Sequence, residues 1–165
     1  MHKLPHNTTA RTIDKIYFDE KSDYQTGEPQ IGQILAQMQV GFDFEVNALM
    51  RKDSLHFTEE DRIKIHAVVT ASDADHVLVT HGTDSMVKTA LLLADIPGKT
   101  IVLTGALNPA RFRDSDAVFN IGCAVGAVQT LPEGAWIAMN GCVWDPRKVR
   151  KNRGKNRFEA VVPSE

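Results

Sequence analysis

Val77-Leu78-Val79-Thr80-His81-Gly82-Thr83-Asp84 decides the fold. Three consecutive apolar residues with turn residues directly after them read as a short strand buried on both faces. The next stretch puts Val87, Ala90, Leu91 and Ala94 on one helix face and stops at Pro97-Gly98. A second run, Ile101-Val102-Leu103, ends at Gly105, and a third, Trp136 to Met139, ends at Asn140-Gly141. Between them Asp116 to Leu131 reads as a helix rich in small residues. Short apolar runs alternating with helices predict an α/β chain with a mainly parallel sheet and helices on both faces.

The first half follows the plan less regularly. Ile31, Ile34, Leu35 and Met38 share one helix face. Phe44 to Leu49 alternates weakly and predicts a strand. Thr58-Glu59-Glu60-Asp61 predicts a capped helix start leading into Ile63, Ala67 and Val68. No repeat, linker or domain boundary divides the chain, so one domain is expected over residues 1–165.

Composition narrows the classes. Apolar residues make up 42%, enough for a packed core. Cys123 and Cys142 are the only cysteines, too few for a disulfide framework. The six histidines form no metal-ligand pattern, so neither metal nor cofactor is expected. No apolar run approaches the roughly 20 residues that span a membrane. The basic N-terminus lacks the apolar stretch of a signal peptide, and a cytoplasmic location is expected. The net charge of −2 is uneven, because seven cations and no acid lie between Arg147 and Arg157. Such a run reads as a solvated loop or as a phosphate contact. No aromatic residue interleaves with it, so nucleic acid is not the expected partner.

Ligands of open parallel sheets bind beyond the carboxyl ends of the strands. That rule selects Thr80–Asp84, Thr104–Pro109 and Asn140–Lys151, with a fourth loop near Thr8–Thr12 if the N-terminus forms a strand. Gly82 permits a tight turn. Thr83 and Asp84 follow at a helix N-terminus, where open amides attract an anion. Asp84 or Ser85 also suits a helix cap, and spacing alone leaves cap and catalysis open. A threonine hydroxyl needs a base to become a nucleophile. Lys151 is the candidate in these loops, provided burial and cations such as Arg150 lower its pKa. As one more solvated charge it has a plain alternative.

These residues carry a resemblance. His81-Gly82-Thr83-Asp84-Ser85-Met86 resembles the HGTDTM signature of bacterial L-asparaginases, and Thr104-Gly105-Ala106-Leu107-Asn108-Pro109 resembles their TGAMRP strand end. Thr12-Ile13-Asp14-Lys15-Ile16 resembles the tail of their TGGTI signature, and Val149-Arg150-Lys151 falls where their essential lysine lies. The resemblance implies a flavodoxin-like sheet and hydrolysis of L-asparagine to aspartate and ammonia through an acyl-threonine. It implies catalytic roles for Thr12 as primary nucleophile, for Tyr24 beside it, and for Thr83, Asp84 and Lys151 as a second set. Substrate contacts fall to Ser54, Gly82, Thr83, Asp84 and Ala106, with Asp84 on the α-ammonium. The relatives imply a homodimer or homotetramer.

The chain also departs from the pattern. The family has a second, smaller domain, and the expectation here is a single domain over residues 1–165 resembling the N-terminal catalytic one. Ala10-Arg11 stands where the signature has Gly-Gly, which implies reduced activity. Leu55 stands where a glutamine helps bind the ammonium. Pro5 lies where a buried strand should run. A catalytically impaired asparagine- or aspartate-binding module is the competing expectation.

Overall fold

The computed structural model describes residues 10–15, 30–50, 56–108 and 115–161. A six-stranded sheet runs through it in the order β2-β1-β3-β4-β5-β6. The strands are β1 (Ala10–Lys15), β2 (Phe44–Met50), β3 (His76–Thr80), β4 (Thr100–Thr104), β5 (Gly134–Met139) and β6 (Cys142–Trp144). The first five are parallel, and β6 returns antiparallel along β5. The order 2-1-3-4-5 is the flavodoxin-like one expected. The helices are α1 (Gln30–Gln37), α2 (Glu59–Ala71), α3 (Met86–Leu93) and α4 (Ala117–Thr130).

Strand alternation divides the core in two. Val77, Val79, Ile101, Leu103, Ile137 and Met139 meet Ile65 and Val69 of α2 and Met86, Ala90 and Leu93 of α3. Leu78, Val102 and Ala138 turn the other way, toward Ile31 and Leu35 of α1 and Ile121, Ala124 and Val128 of α4. β4 is buried along its whole length, as a strand covered on both faces must be. The capped start of α2 is present: Thr58 Oγ1 accepts from Asp61 N at 3.3 Å, and Asp61 Oδ2 accepts from Thr58 N at 2.8 Å.

Three expectations need correction. The buried face of α3 is Met86, Thr89, Ala90 and Leu93, whereas Leu91 is exposed. Leu91-Leu92-Leu93 is apolar all round, so it could not fix the helix phase. The stretch after Met139 is no open loop. Asn140 and Gly141 both have positive φ, 56° and 72°, and close a two-residue hairpin onto β6. The basic run is a hairpin too, built from β7 (Val149–Asn152) and β8 (Arg157–Ala160). Val149 and Phe158 tie it into the core beside α3.

β1 lies later in the chain than the resemblance implied. Ala10 and Arg11 pair with His76 and Val77 as extended strand residues, so the turn that would demand glycine does not fall on them. Thr12 and Ile13 are β-branched and suit a strand.

Candidate active site

The turn after β3 is set by backbone packing. His81 N donates to Thr104 O at 2.8 Å, which carries the β3–β4 ladder one residue beyond the strands. A Cβ on Gly105 would run into the carbonyl oxygen of His81, so only glycine permits this approach. The His81 ring is 2% exposed. Its Nδ1 lies 2.7 Å from Gly82 O and its Nε2 2.9 Å from Thr89 Oγ1. A carbonyl only accepts, so Nδ1 carries the proton and Nε2 accepts from the Thr89 hydroxyl. Phe57 meets the same ring edge-on, with centroids 4.8 Å apart. Pinned on three sides, His81 fixes the turn that presents Thr83, itself 6% exposed.

The hairpin β7–β8 supplies the third member. Lys151 pairs with Phe158 across the hairpin. Its Nζ donates to Thr83 Oγ1 at 2.7 Å and to Asp84 Oδ1 at 2.8 Å. Asp84 Oδ1 also meets Arg153 Nε at 3.5 Å. The Lys151 side chain is 14% exposed and that of Asp84 is 25% exposed, so the pair is partly withdrawn from water. Arg150 turns to Glu159 instead, with Nη2 2.9 Å from Oε1. The cation that shares a partner with Lys151 is thus Arg153, not the expected Arg150. A hydrogen bond from Asn152, aided by Arg150, holds the Glu159 carboxyl below its usual range.

Two side-chain amides, one buried and one exposed, join the loops. Asn120, fully buried on α4, donates from Nδ2 to Gly105 O at 2.9 Å and to Asp116 Oδ2 at 2.7 Å. Its Oδ1 accepts from Asn140 N at 3.3 Å, and Asn140 Oδ1 accepts from Phe158 N at 3.0 Å. The relay therefore runs from the β4 loop to the residue paired with Lys151. Asp116 also accepts from Leu107 N and Asn108 N, both at 3.0 Å. Sequence reasoning missed Asn120, Asp116 and Arg153. Asn-Gly at Asn140-Gly141 was the available hairpin signal.

The three strand-end loops converge as expected; of the two cap candidates the cap position of α3 falls to Ser85, while the Asp84 carboxylate is bonded to Lys151. Ser85 begins α3 without a side-chain cap, and its buried Oγ has no partner. Gly82 is buried in the same turn, and Ala106 is half-buried in the β4 loop. Thr12 lies inside β1, level with Leu78, which is two residues before the end of β3. The structure does not bring it to the strand end beside Thr83. Tyr24, Ser54 and Leu55 lie outside the described residues. Among the described residues no group of three or more His, Cys, Asp or Glu could hold a metal ion. No described helix is long and apolar enough to cross a membrane. An open groove of about 430 Å³ lies elsewhere, between Leu91, Glu133, Trp136 and Arg147, and touches none of the three site residues.

The structure is thus a mainly parallel sheet with a Thr–Asp–Lys set at its strand ends, and comparison with known proteins specifies the family. The asparaginase N-terminal domain family matches residues 9–162, and the chain belongs to that family. It is 29% identical over 128 residues to the L-asparaginase of Thermococcus kodakarensis, covering 73% of this chain and 39% of that protein. It is 30% identical over 104 residues to a glutaminase-asparaginase of Pseudomonas aeruginosa, covering 58% of this chain and 29% of that one. The solved thermostable L-asparaginase of Thermococcus kodakarensis shares the fold with a TM-score of 0.79 at 22% identity, over 93% of this chain and 51% of that one. A probable cytoplasmic L-asparaginase of Campylobacter jejuni does so with a TM-score of 0.73 at 23% identity, over 93% and 53%. The chain thus spans about half the length of these structures and less of the curated relatives.

Proposed function

We propose that the chain hydrolyses the side-chain amide of L-asparagine to aspartate and ammonia, with Thr83 as the nucleophile. The observation that carries this reading is the pair of short bonds from Lys151 Nζ to Thr83 Oγ1 and Asp84 Oδ1. In its ammonium form Lys151 donates along both. After giving one proton to bulk water, it accepts the Thr83 proton along the same 2.7 Å line while the oxygen attacks the amide carbon. The tetrahedral intermediate expels ammonia, with the proton returned from Lys151 to the leaving nitrogen. Water then releases the acyl group from Thr83. Helix α3 begins at Met86, directly after the turn, and its open first-turn amides favour negative charge at this end.

Ammonia release by the purified protein tests the proposal, beside Thr83→Ala and Lys151→Ala. Gly82, Thr83, Asp84 and Ala106 line the substrate side in this reading, joined by Ser54 and Tyr24 from outside the described residues. Self-association into a homodimer or homotetramer belongs to the same proposal. It is supported by Val118 and Phe119, which are 47% and 65% exposed on α4. Sedimentation at micromolar concentration checks it, and a monomer alone would count against it.

A second reading has its own observation. Thr12 sits within β1 rather than in a strand-end loop, so the first catalytic set of the resemblance is not assembled among the described residues. In that reading the chain binds asparagine or aspartate without turnover.

A further inference from the structure

Asn140 serves two purposes that can be separated. Its backbone opens the turn between β5 and β6: φ is 56° at Asn140 and 72° at Gly141, values that asparagine and glycine accept in a two-residue hairpin. Its backbone N–H donates to Asn120 Oδ1 at 3.3 Å. Nothing in that turn requires a side-chain amide, since glycine adopts the same conformation. Yet Asn140 Oδ1 accepts from Phe158 N at 3.0 Å, a bond that reaches 18 residues along the chain to a different pair of strands. An N–H only donates, so the atom facing Phe158 is the carbonyl oxygen, and the orientation of the side-chain amide is fixed.

Phe158 is the residue paired with Lys151 across the β7–β8 hairpin. It is 3% exposed and anchors the hairpin in the core together with Val149. Apolar burial resists withdrawal of the hairpin but is not directional. A hydrogen bond is directional, and this one fixes where β8 lies along its own axis. Lys151 Nζ reaches Thr83 Oγ1 at 2.7 Å from that hairpin. A placement error of about 1 Å at a reacting contact costs on the order of 100-fold in rate. We infer that Asn140 is a positioning residue for amide hydrolysis: its side-chain carbonyl fixes β8 and, through the pairing of Phe158 with Lys151, holds Nζ on the Thr83 hydroxyl. The inference rests on the amide-hydrolysis reading above and adds no step to its chemistry.

Two variants separate the side chain from the turn. Asn140→Gly keeps the positive φ and loses the carbonyl. Asn140→Asp keeps an acceptor oxygen at the same reach. Ammonia release from L-asparagine is measured for both beside the wild type, with folding checked by circular dichroism. In Asn140→Gly kcat should fall about 10–100-fold with KM little changed, and Asn140→Asp should recover most of the rate. A change confined to KM, a kcat in Asn140→Gly equal to that of the wild type, or an Asn140→Asp no better than Asn140→Gly overturns the inference and leaves amide hydrolysis standing. Failure of Asn140→Gly to fold also overturns it, because a residue that the whole fold needs does not act on Lys151 in particular. If the wild type releases no ammonia, hydrolysis itself fails, and labelling decides whether Asn140 places Lys151. Lys151 is 14% exposed and bonded to both Thr83 and Asp84. An amine-selective acylating reagent, read by mass spectrometry, should therefore label it slowly in the wild type and Asn140→Asp and faster in Asn140→Gly. Equal labelling in all three ends the positioning role.

Discussion

Lys151 and Thr83 are 68 residues apart in the chain, yet Nζ lies 2.7 Å from Oγ1. Nothing local brings them together. The contact exists because the β7–β8 hairpin is anchored by Val149 and Phe158 and tied to the β5 turn by the Asn140 side chain. The geometry of the site therefore depends on residues that never touch it.

Asn120 is the first such residue. Replacing it with alanine leaves Gly105 O and Asn140 N without their buried partners. Each orphaned group costs about 1–3 kcal/mol. Urea unfolding of Asn120→Ala should show a loss of about 1–3 kcal/mol, since Gly105 is half-buried while Asn140 is exposed and its N–H can turn to water. An unchanged midpoint would mean that water replaces the amide.

Gly105 is the second. A methyl group there meets the His81 carbonyl, which belongs to the backbone and cannot swing aside. Gly105→Ala should destabilise by about 1–3 kcal/mol, the usual cost of overpacking. It should also lower turnover, because the displaced turn carries Thr83. Thermal unfolding and ammonia release measured together check both halves.

The two cysteines should separate by rate. Burial, aided by the charge of Cys142, pushes the Cys123 thiol above its ordinary value of 9.0, while Cys142 is exposed. The thiolate is the reacting form. Iodoacetamide at mildly alkaline pH should label Cys142 before Cys123 by mass spectrometry. Equal rates would contradict the partial burial of Cys123.

Acid should loosen the hairpin. The Glu159 carboxyl is held below 4.5 by the Asn152 hydrogen bond and by Arg150. A depressed carboxylate contributes stability above its unfolded pKa and loses it as pH falls through the folded one. Amide protection across β7 and β8, corrected for the intrinsic exchange rate at each pH, should therefore fall below about pH 4.5, the ordinary value, and Glu159→Gln should remove that dependence.

Much of the fold was legible in the sequence. Val77-Leu78-Val79, Ile101-Val102-Leu103 and Trp136 to Met139 are strands because both faces of each are buried, and an uninterrupted apolar run records that. The capping box at Thr58 and Asp61 was legible because its pairing is local. The β7–β8 hairpin was hidden because its five cations mask two anchoring residues, Val149 and Phe158. The position of β1 was hidden because a sequence signature fixes residue identity and not strand register. Thr83, Asp84 and Lys151 could be named as candidates from loops and resemblance. The contact of Arg153 with Asp84 could not, because it depends on how the hairpin folds over Asp84.

The central claim is that Thr83 and Lys151 form one chemical unit. The most direct test is ammonia release from L-asparagine by the wild type, Thr83→Ala, Lys151→Ala and the double variant, with folding checked by circular dichroism. Removing a proton-transfer partner costs about 10²–10⁴ in rate. The account predicts a loss of that order in each single variant and little further loss in the double, because residues that act together are not additive. Turnover in Thr83→Ala close to that of the wild type would contradict it and move the nucleophile elsewhere.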